Sequence, residues 1–242
     1  MATPILTDDD LASSLIEYAA QGALLSAFLC RPKRAGAPGV ILLQEWWGLN
    51  DHIKEIAQRL AKENYTVLAP DLYSRFGSVV TKNAAEAAKL MDALSPAQTL
   101  SDLQAAVRYL KGLLRPDSDP IGVIGFCMGG SYALLLACRT EEIRCAVPFY
   151  GRVPADSELQ HLSAPLLFFY GDEDGWITKE EVGRLEKALK RYKKEGAVKT
   201  YPGAPHAFFN NTRREVYDPE AAGDAWGKTL DFLNRYLRKN SV

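Results

Sequence analysis

IGVIGFCMGGSYALLLA, residues 121–137, decides the fold. A short apolar run of the kind buried on both faces of a sheet passes without a spacer into an apolar helical run. Glycines stand two residues before and two residues after Cys127, at 125 and 129, with Gly130 beside them. A turn this tight leaves no room for neighbouring side chains, and Gly130 lets helix and strand approach closely. The pattern is a nucleophile elbow with cysteine in the place where serine commonly stands. Cys127 is thereby pushed out at a helix N-terminus, whose positive end favours thiolate over thiol, and the Met128 amide is placed to face a developing oxyanion. A free thiol of pKa about 8.5 is only about 3% ionised at pH 7, so the helix end and one basic neighbour would raise the reactive fraction many-fold. The competing reading, a small buried cysteine, requires no flanking glycines; it suits Cys138 and Cys145 instead.

A glycine-rich turn between strand and helix also opens dinucleotide-binding units. Here Gly122, Gly125, Gly129 and Gly130 do not make G-x-G-x-x-G, and about twenty residues further on stand Ile143 to Cys145 rather than an acidic strand end. The chemistry of Cys127 is therefore the better guide.

Working outward from the elbow, apolar runs at 40–45, 66–72, 121–127, 145–150, 165–171 and 197–202 read as strands bounded by Gly, Pro or Asp. Residues 15–30 predict an antiparallel edge hairpin turning at Gln21-Gly22. Ile53, Ile56, Ala57 and Leu60 fall at i, i+3, i+4 and i+7 after a capping Asn50 or Asp51, which predicts a helix. A second, from Ser95-Pro96, carries the stripe Leu100, Leu103, Val107, Leu110 and Leu114, and further helices are expected over 82–93, 129–139, 179–194 and 220–238. Alternating strands and helices imply a mostly parallel sheet with helices on both faces. Ligands then bind at the carboxyl ends of the strands.

With 242 residues and no repeat or long Pro/Gly/Ser linker, one domain spanning 1–242 is expected. At this size about 70% of the chain's surface can be buried, so neither disulfides nor metal are needed to stabilise it. A net charge of -1 gives no long-range attraction for nucleic acid or an anionic membrane. The first thirty residues contain Asp8, Asp9 and Asp10 without a basic leader segment, and no apolar run approaches a membrane span, so a cytoplasmic protein is expected. Four cysteines without a CxxC pair are read as reduced thiols.

A thiol hydrolase needs a base and a group to orient it, in the chain order nucleophile, acid, histidine. Of three histidines, His52 sits at a helix start, where a solvated or capping role suits it, and His161 lies in a polar connector. His206, after the last strand in YPGAPHAFF, is the base by elimination and by place. The three are too scattered for a metal pair. Strand PLLFFYG ends in Gly171-Asp172-Glu173-Asp174; Asp174 lies further into the loop that must reach His206, with Asp172 as the alternative. Strand VILLQE ends in Glu45-Trp46-Trp47. The Trp46 amide is the candidate second oxyanion donor, Glu45 a candidate acceptor for the thiol proton, and both indoles are candidate walls of an apolar pocket.

QEWWGLNDHI, APDLY, GFCMGG, GDED and PHAFF together resemble the dienelactone hydrolase family of α/β hydrolases, from about residue 15 to 238. The resemblance implies the α/β-hydrolase fold and cofactor-free hydrolysis of a small lactone or ester through a thioester. It implies Cys127 as nucleophile, His206 as base, Asp174 as orienter, Glu45 as resting partner of the thiol, and the Trp46 and Met128 amides as oxyanion hole. Trp47, Arg75, Tyr150, Phe208 and Asn210 are the expected pocket residues, no metal is expected, and the chain is expected to be a monomer or weak dimer. Members acting on dienelactone carry an arginine four residues after the histidine; here that position is Asn210, so Arg75, Arg213 and Arg214 are the remaining candidates for holding a carboxylate. The alternative reading from another class is a binding or regulatory member of the fold that has lost turnover.

Overall fold

The computed structural model describes residues 6–115 and 119–238. The chain divides into two compact units, Met1–Ile121 and Gly122–Val242. In the first, β1 (Leu11–Ala20) and β2 (Ala23–Pro32) form the expected hairpin, registered from Leu11↔Pro32 to Ala20↔Ala23. Gln21 and Gly22 both adopt positive φ, as a two-residue turn between right-twisted strands requires. β3 (Gly39–Leu43) and β4 (Thr66–Pro70) are buried at every position and pair in parallel, while β2 runs antiparallel to β4, giving the order β1-β2-β4-β3. Strands with no exposed face cannot alternate in polarity, which is why they read as continuous apolar runs.

α1 (Asp51–Lys62) starts where the Asn50 side chain accepts from the Ile53 amide. Its stripe Ile53, Ile56, Ala57 and Leu60 is almost fully buried. Burying the three large side chains contributes roughly 5–8 kcal/mol, against about 1 kcal/mol for the cap, so packing holds this helix. α2 (Ala84–Ala93) is capped by Asn83, and α3 (Pro96–Leu113) by Ser95 with proline in its first turn.

The second unit alternates β5 (Ile121–Phe126), α4 (Met128–Arg139), β6 (Ile143–Phe149), the one-turn α5 (Asp156–Leu159), β7 (Leu166–Glu173), α6 (Lys179–Arg191), β8 (Gly196–Pro205) and α7 (Pro219–Leu237). Its strand order is β5-β6-β7-β8, with β6–β7 and β7–β8 parallel. The strands belong to one eight-stranded sheet, mostly parallel with an antiparallel edge, in an α/β arrangement. Among the described residues no helix is long and apolar enough to cross a membrane.

Candidate active site

Cys127 caps α4 with φ 54° and ψ -117°, a conformation that a residue with a side chain adopts only at a cost of about 1–3 kcal/mol. Packing overdetermines it. The Cys127 amide donates to Phe149 O (3.0 Å), and its carbonyl accepts from the Ser131 amide (3.1 Å) and hydroxyl (3.3 Å). A Cβ on Gly125 would lie 2.1 Å from Gly129 O, and one on Gly130 2.5 Å from Phe149 O, so both glycines are obligatory. Cys127 is also the one cysteine of the four that is not buried. Burial pushes the other thiols up, Cys30 to about 11 and Cys138 and Cys145 to about 12.

Asp174 and His206 are brought together by strand register. β7 and β8 are parallel, and after a shift between Gly171 and Glu173 the last pair is Glu173↔Pro205. The next residue on each strand is Asp174 on one and His206 on the other. Asp174 Oδ2 lies 2.7 Å from His206 Nδ1, and Oδ1 accepts the amides of Trp176 (2.7 Å) and Ile177 (2.9 Å). An ionised carboxylate only accepts, so Nδ1 donates and Nε2 is the nitrogen left for chemistry. Asp172 is engaged elsewhere: it accepts from the Gly203 amide at 2.6 Å and stands 3.8 Å from Lys179.

Burial of the His206 ring disfavours its charge, but the hydrogen bonds and charges of Asp174 and Cys127 outweigh this and raise it to about 10. Nε2 is buried, and Cys127 is the second group that favours the ring's charge. A thiol beside an imidazole that a carboxylate orients is the starting arrangement of nucleophilic cysteine chemistry.

Aromatic rings surround the imidazole. Tyr150, at φ 38° directly after β6, has its ring centroid 5.0 Å from that of His206. Phe208 is fully buried against Tyr150 (5.4 Å) and Tyr201 (5.1 Å), so it supports the histidine loop from the core. Trp176, two residues past Asp174, lies 6.0 Å from His206 and is 48% exposed. Trp176 is not among the residues expected at the site; its signal in the sequence is an aromatic residue inside an acidic, glycine-bearing loop. Asn210 is buried, and its side-chain oxygen accepts from the Thr212 amide and hydroxyl, which makes it part of a local turn.

In the first unit, β3 stops at Leu43, so Gln44 and Glu45 lie beyond the strand and not within it as 40–45 implied. Glu45 is 2% exposed. The half-buried rings of Trp46 and Trp47 are 5.0 Å apart and nearly edge to face. Trp46 O accepts from the Tyr73 hydroxyl (2.9 Å) and Trp47 O from the Thr81 amide (3.0 Å). Arg75 is committed to Asp102 by a two-point pair of 2.7 and 2.8 Å, which neutralises the charge expected to hold a carboxylate. Arg213 likewise pairs with Glu215 at 2.8 Å, while Arg214 is exposed. His52 is 4% exposed, contrary to the solvated role its helix-start position suggested, because its face of α1 turns inward. Among the described residues no group of three His, Cys, Asp or Glu side chains is placed to hold a metal ion.

Residues 25–237 match the model of the dienelactone hydrolase family. The chain is 34% identical to the "Probable 2-oxo-3-(5-oxofuran-2-ylidene)propanoate lactonase" of Bradyrhizobium sp., over 96% of this chain and 98% of that one. It is 33% identical to a carboxymethylenebutenolidase candidate of Synechocystis sp., covering 95% and 99%. The structure of a dienelactone hydrolase candidate from Klebsiella pneumoniae superposes with a TM-score of 0.86 at 28% identity, covering 93% of this chain and 99% of that one. The chain belongs to the dienelactone hydrolase family and is a hydrolase of the ester and lactone type.

Proposed function

We infer that the chain hydrolyses small, uncharged esters or lactones with Cys127 as nucleophile, working as one catalytic domain. Cys127 gives its proton to His206 Nε2, and the thiolate sulfur attacks the substrate carbonyl carbon. The carbonyl π electrons move to oxygen, where backbone amides stabilise the oxyanion. Collapse re-forms the carbonyl and breaks the bond to the alkoxy oxygen, which takes the proton from His206 and leaves as alcohol; in a lactone it stays on the same molecule. Water, deprotonated by His206, then attacks the thioester, and acid and thiol are released. From the family resemblance, Glu45 is the partner of the thiol in the resting enzyme, before the proton passes to His206, and the Trp46 and Met128 amides are the oxyanion donors.

The observation that carries this reading is the imidazole held at 2.7 Å by Asp174, its pKa raised to about 10 by Asp174 and Cys127. The preference for uncharged substrates rests on Arg75 being neutralised by Asp102 and on Asn210 occupying the position where dienelactone-active members carry arginine. A two-point arginine–carboxylate contact contributes about 1.5–3 kcal/mol, or roughly ten- to a hundredfold in affinity. Kinetics on dienelactone and on size-matched neutral lactones and aryl esters test it. Neutral substrates are expected to match or exceed dienelactone in kcat/KM; a clear dienelactone preference lost in Arg75→Ala or Arg213→Ala overturns the substrate assignment.

A further inference from the structure

The hydroxyl of Ser131, in the first turn of α4, makes two hydrogen bonds that lead in different directions. It donates to Cys127 O (3.3 Å) and accepts from the Arg152 amide (2.8 Å). The first is a bond that any serine inside a helix can make to the carbonyl four residues back. The second joins residues 21 apart in sequence and reaches the segment that follows β6.

That segment runs from the elbow to the imidazole. Tyr150 stands at φ 38°, with its ring centroid 5.0 Å from that of His206. Gly151 passes so close to α4 that a Cβ on it would lie 2.3 Å from the Gly130 carbonyl carbon and from the Ser131 amide. Beyond it, the Val153 amide donates to Glu181 (2.6 Å), and Arg184 donates to the carbonyls of Val153 (2.8 Å) and Pro154 (2.7 Å), so α6 fixes the far end. The Ser131 bridge therefore joins two stretches of chain that each hold a residue with a side chain at positive φ, Cys127 in one and Tyr150 in the other. Such conformations persist only where the surroundings overdetermine them.

Helix propensity alone would favour alanine over serine at this position. Arg152 is exposed, so water is at hand for its amide. What alanine cannot supply is the link between the two strained stretches.

We propose that Ser131 is a positioning residue of the hydrolase: its hydroxyl ties the Cys127 carbonyl to the Tyr150–Arg152 segment and so fixes the thiol against the imidazole on which Tyr150 packs. It acts through Cys127, because the direction of that carbonyl is set by ψ of the same residue, and holding it holds the thiol relative to α4. The proposal rests on Cys127 being the nucleophile.

Stopped-flow release of nitrophenolate from nitrophenyl acetate by the full chain, as wild type, Ser131→Ala and Ser131→Thr, is the test. The rate of the burst reports acylation, and its amplitude counts intact sites. Ser131→Ala should slow the burst by about three- to tenfold, the range of one hydrogen bond, at nearly full amplitude and with the half-saturating substrate concentration changed less than about twofold. Ser131→Thr, whose hydroxyl can make the same bond four residues back, should return the rate to within about twofold of wild type. The His206 imidazole titration should move to lower pH in Ser131→Ala and return in Ser131→Thr, since Cys127 is one of the groups that favour its charge. An unchanged burst rate in Ser131→Ala, a loss of amplitude alone, or a slowing that Ser131→Thr does not repair would overturn the proposal. Turnover persisting in Cys127→Ala would instead remove the nucleophile assignment beneath it, which separates the two failures.

Discussion

Asp174 and His206 stand 2.7 Å apart because each is the first residue beyond the same strand pair, Glu173↔Pro205. Register therefore selects which carboxylate meets the imidazole. Asp172, two residues earlier, is before the end of β7 and holds the Gly203 amide instead. Asp174→Asn should lower kcat by on the order of 10²–10⁴-fold, since an amide presents the imidazole with a donor as well as an acceptor. Asp172→Asn should cost less than about threefold. Comparable losses in the two variants would remove the register argument.

The His206 charge has a sign that can be followed with pH. Its pKa in the folded chain is raised to about 10 from an ordinary 6.5. Its contribution to stability is thus fully present below about pH 6.5 and is lost as pH rises through about 10. The stability difference between the wild type and His206→Gln, measured by denaturant unfolding, should be greatest at pH 6 and shrink towards pH 10. The imidazole NMR titration should move to lower pH in both Asp174→Asn and Cys127→Ala. A midpoint near 6.5 in the wild type contradicts the picture.

At the elbow, Gly125→Ala should destabilise the chain by about 3 kcal/mol or more and abolish activity, because the added methyl meets backbone that cannot yield. Gly175→Ala, with nothing within 4 Å, is the control and should stay within about 0.5 kcal/mol. Chemical denaturation of both variants decides it.

Trp176 presents an exposed ring face beside the imidazole. Trp176→Ala should lower kcat/KM for aryl esters by about three- to tenfold, mainly through KM, and change alkyl esters much less. Equal losses on both classes would assign it to the scaffold.

Much of this was legible in the chain. The glycines around Cys127 signal the elbow because only a backbone collision demands them, and the strand ends place His206 because open parallel sheets gather ligands there. Helices α1 and α3 were visible through their stripes, whereas α5, one turn long, has no period to read. The choice between Asp172 and Asp174 depended on a register shift within β7, and the Arg75–Asp102 pair joins residues 27 apart in sequence. Neither a bulge nor a long-range ion pair leaves a local pattern. The burial of His52 leaves no mark in the sequence, because a polar residue at a helix start suits either environment.

In the proposed mechanism Cys127 carries the acyl group. Acid-quenching a reaction with nitrophenyl acetate in the steady state and mapping the modified peptide tests it most directly. An acetyl thioester on Cys127 and a burst of nitrophenolate stoichiometric with enzyme are expected, with both lost in Cys127→Ala together with on the order of 10⁴-fold lower turnover. Turnover persisting in Cys127→Ala, or an acyl group mapped to another residue, would contradict it.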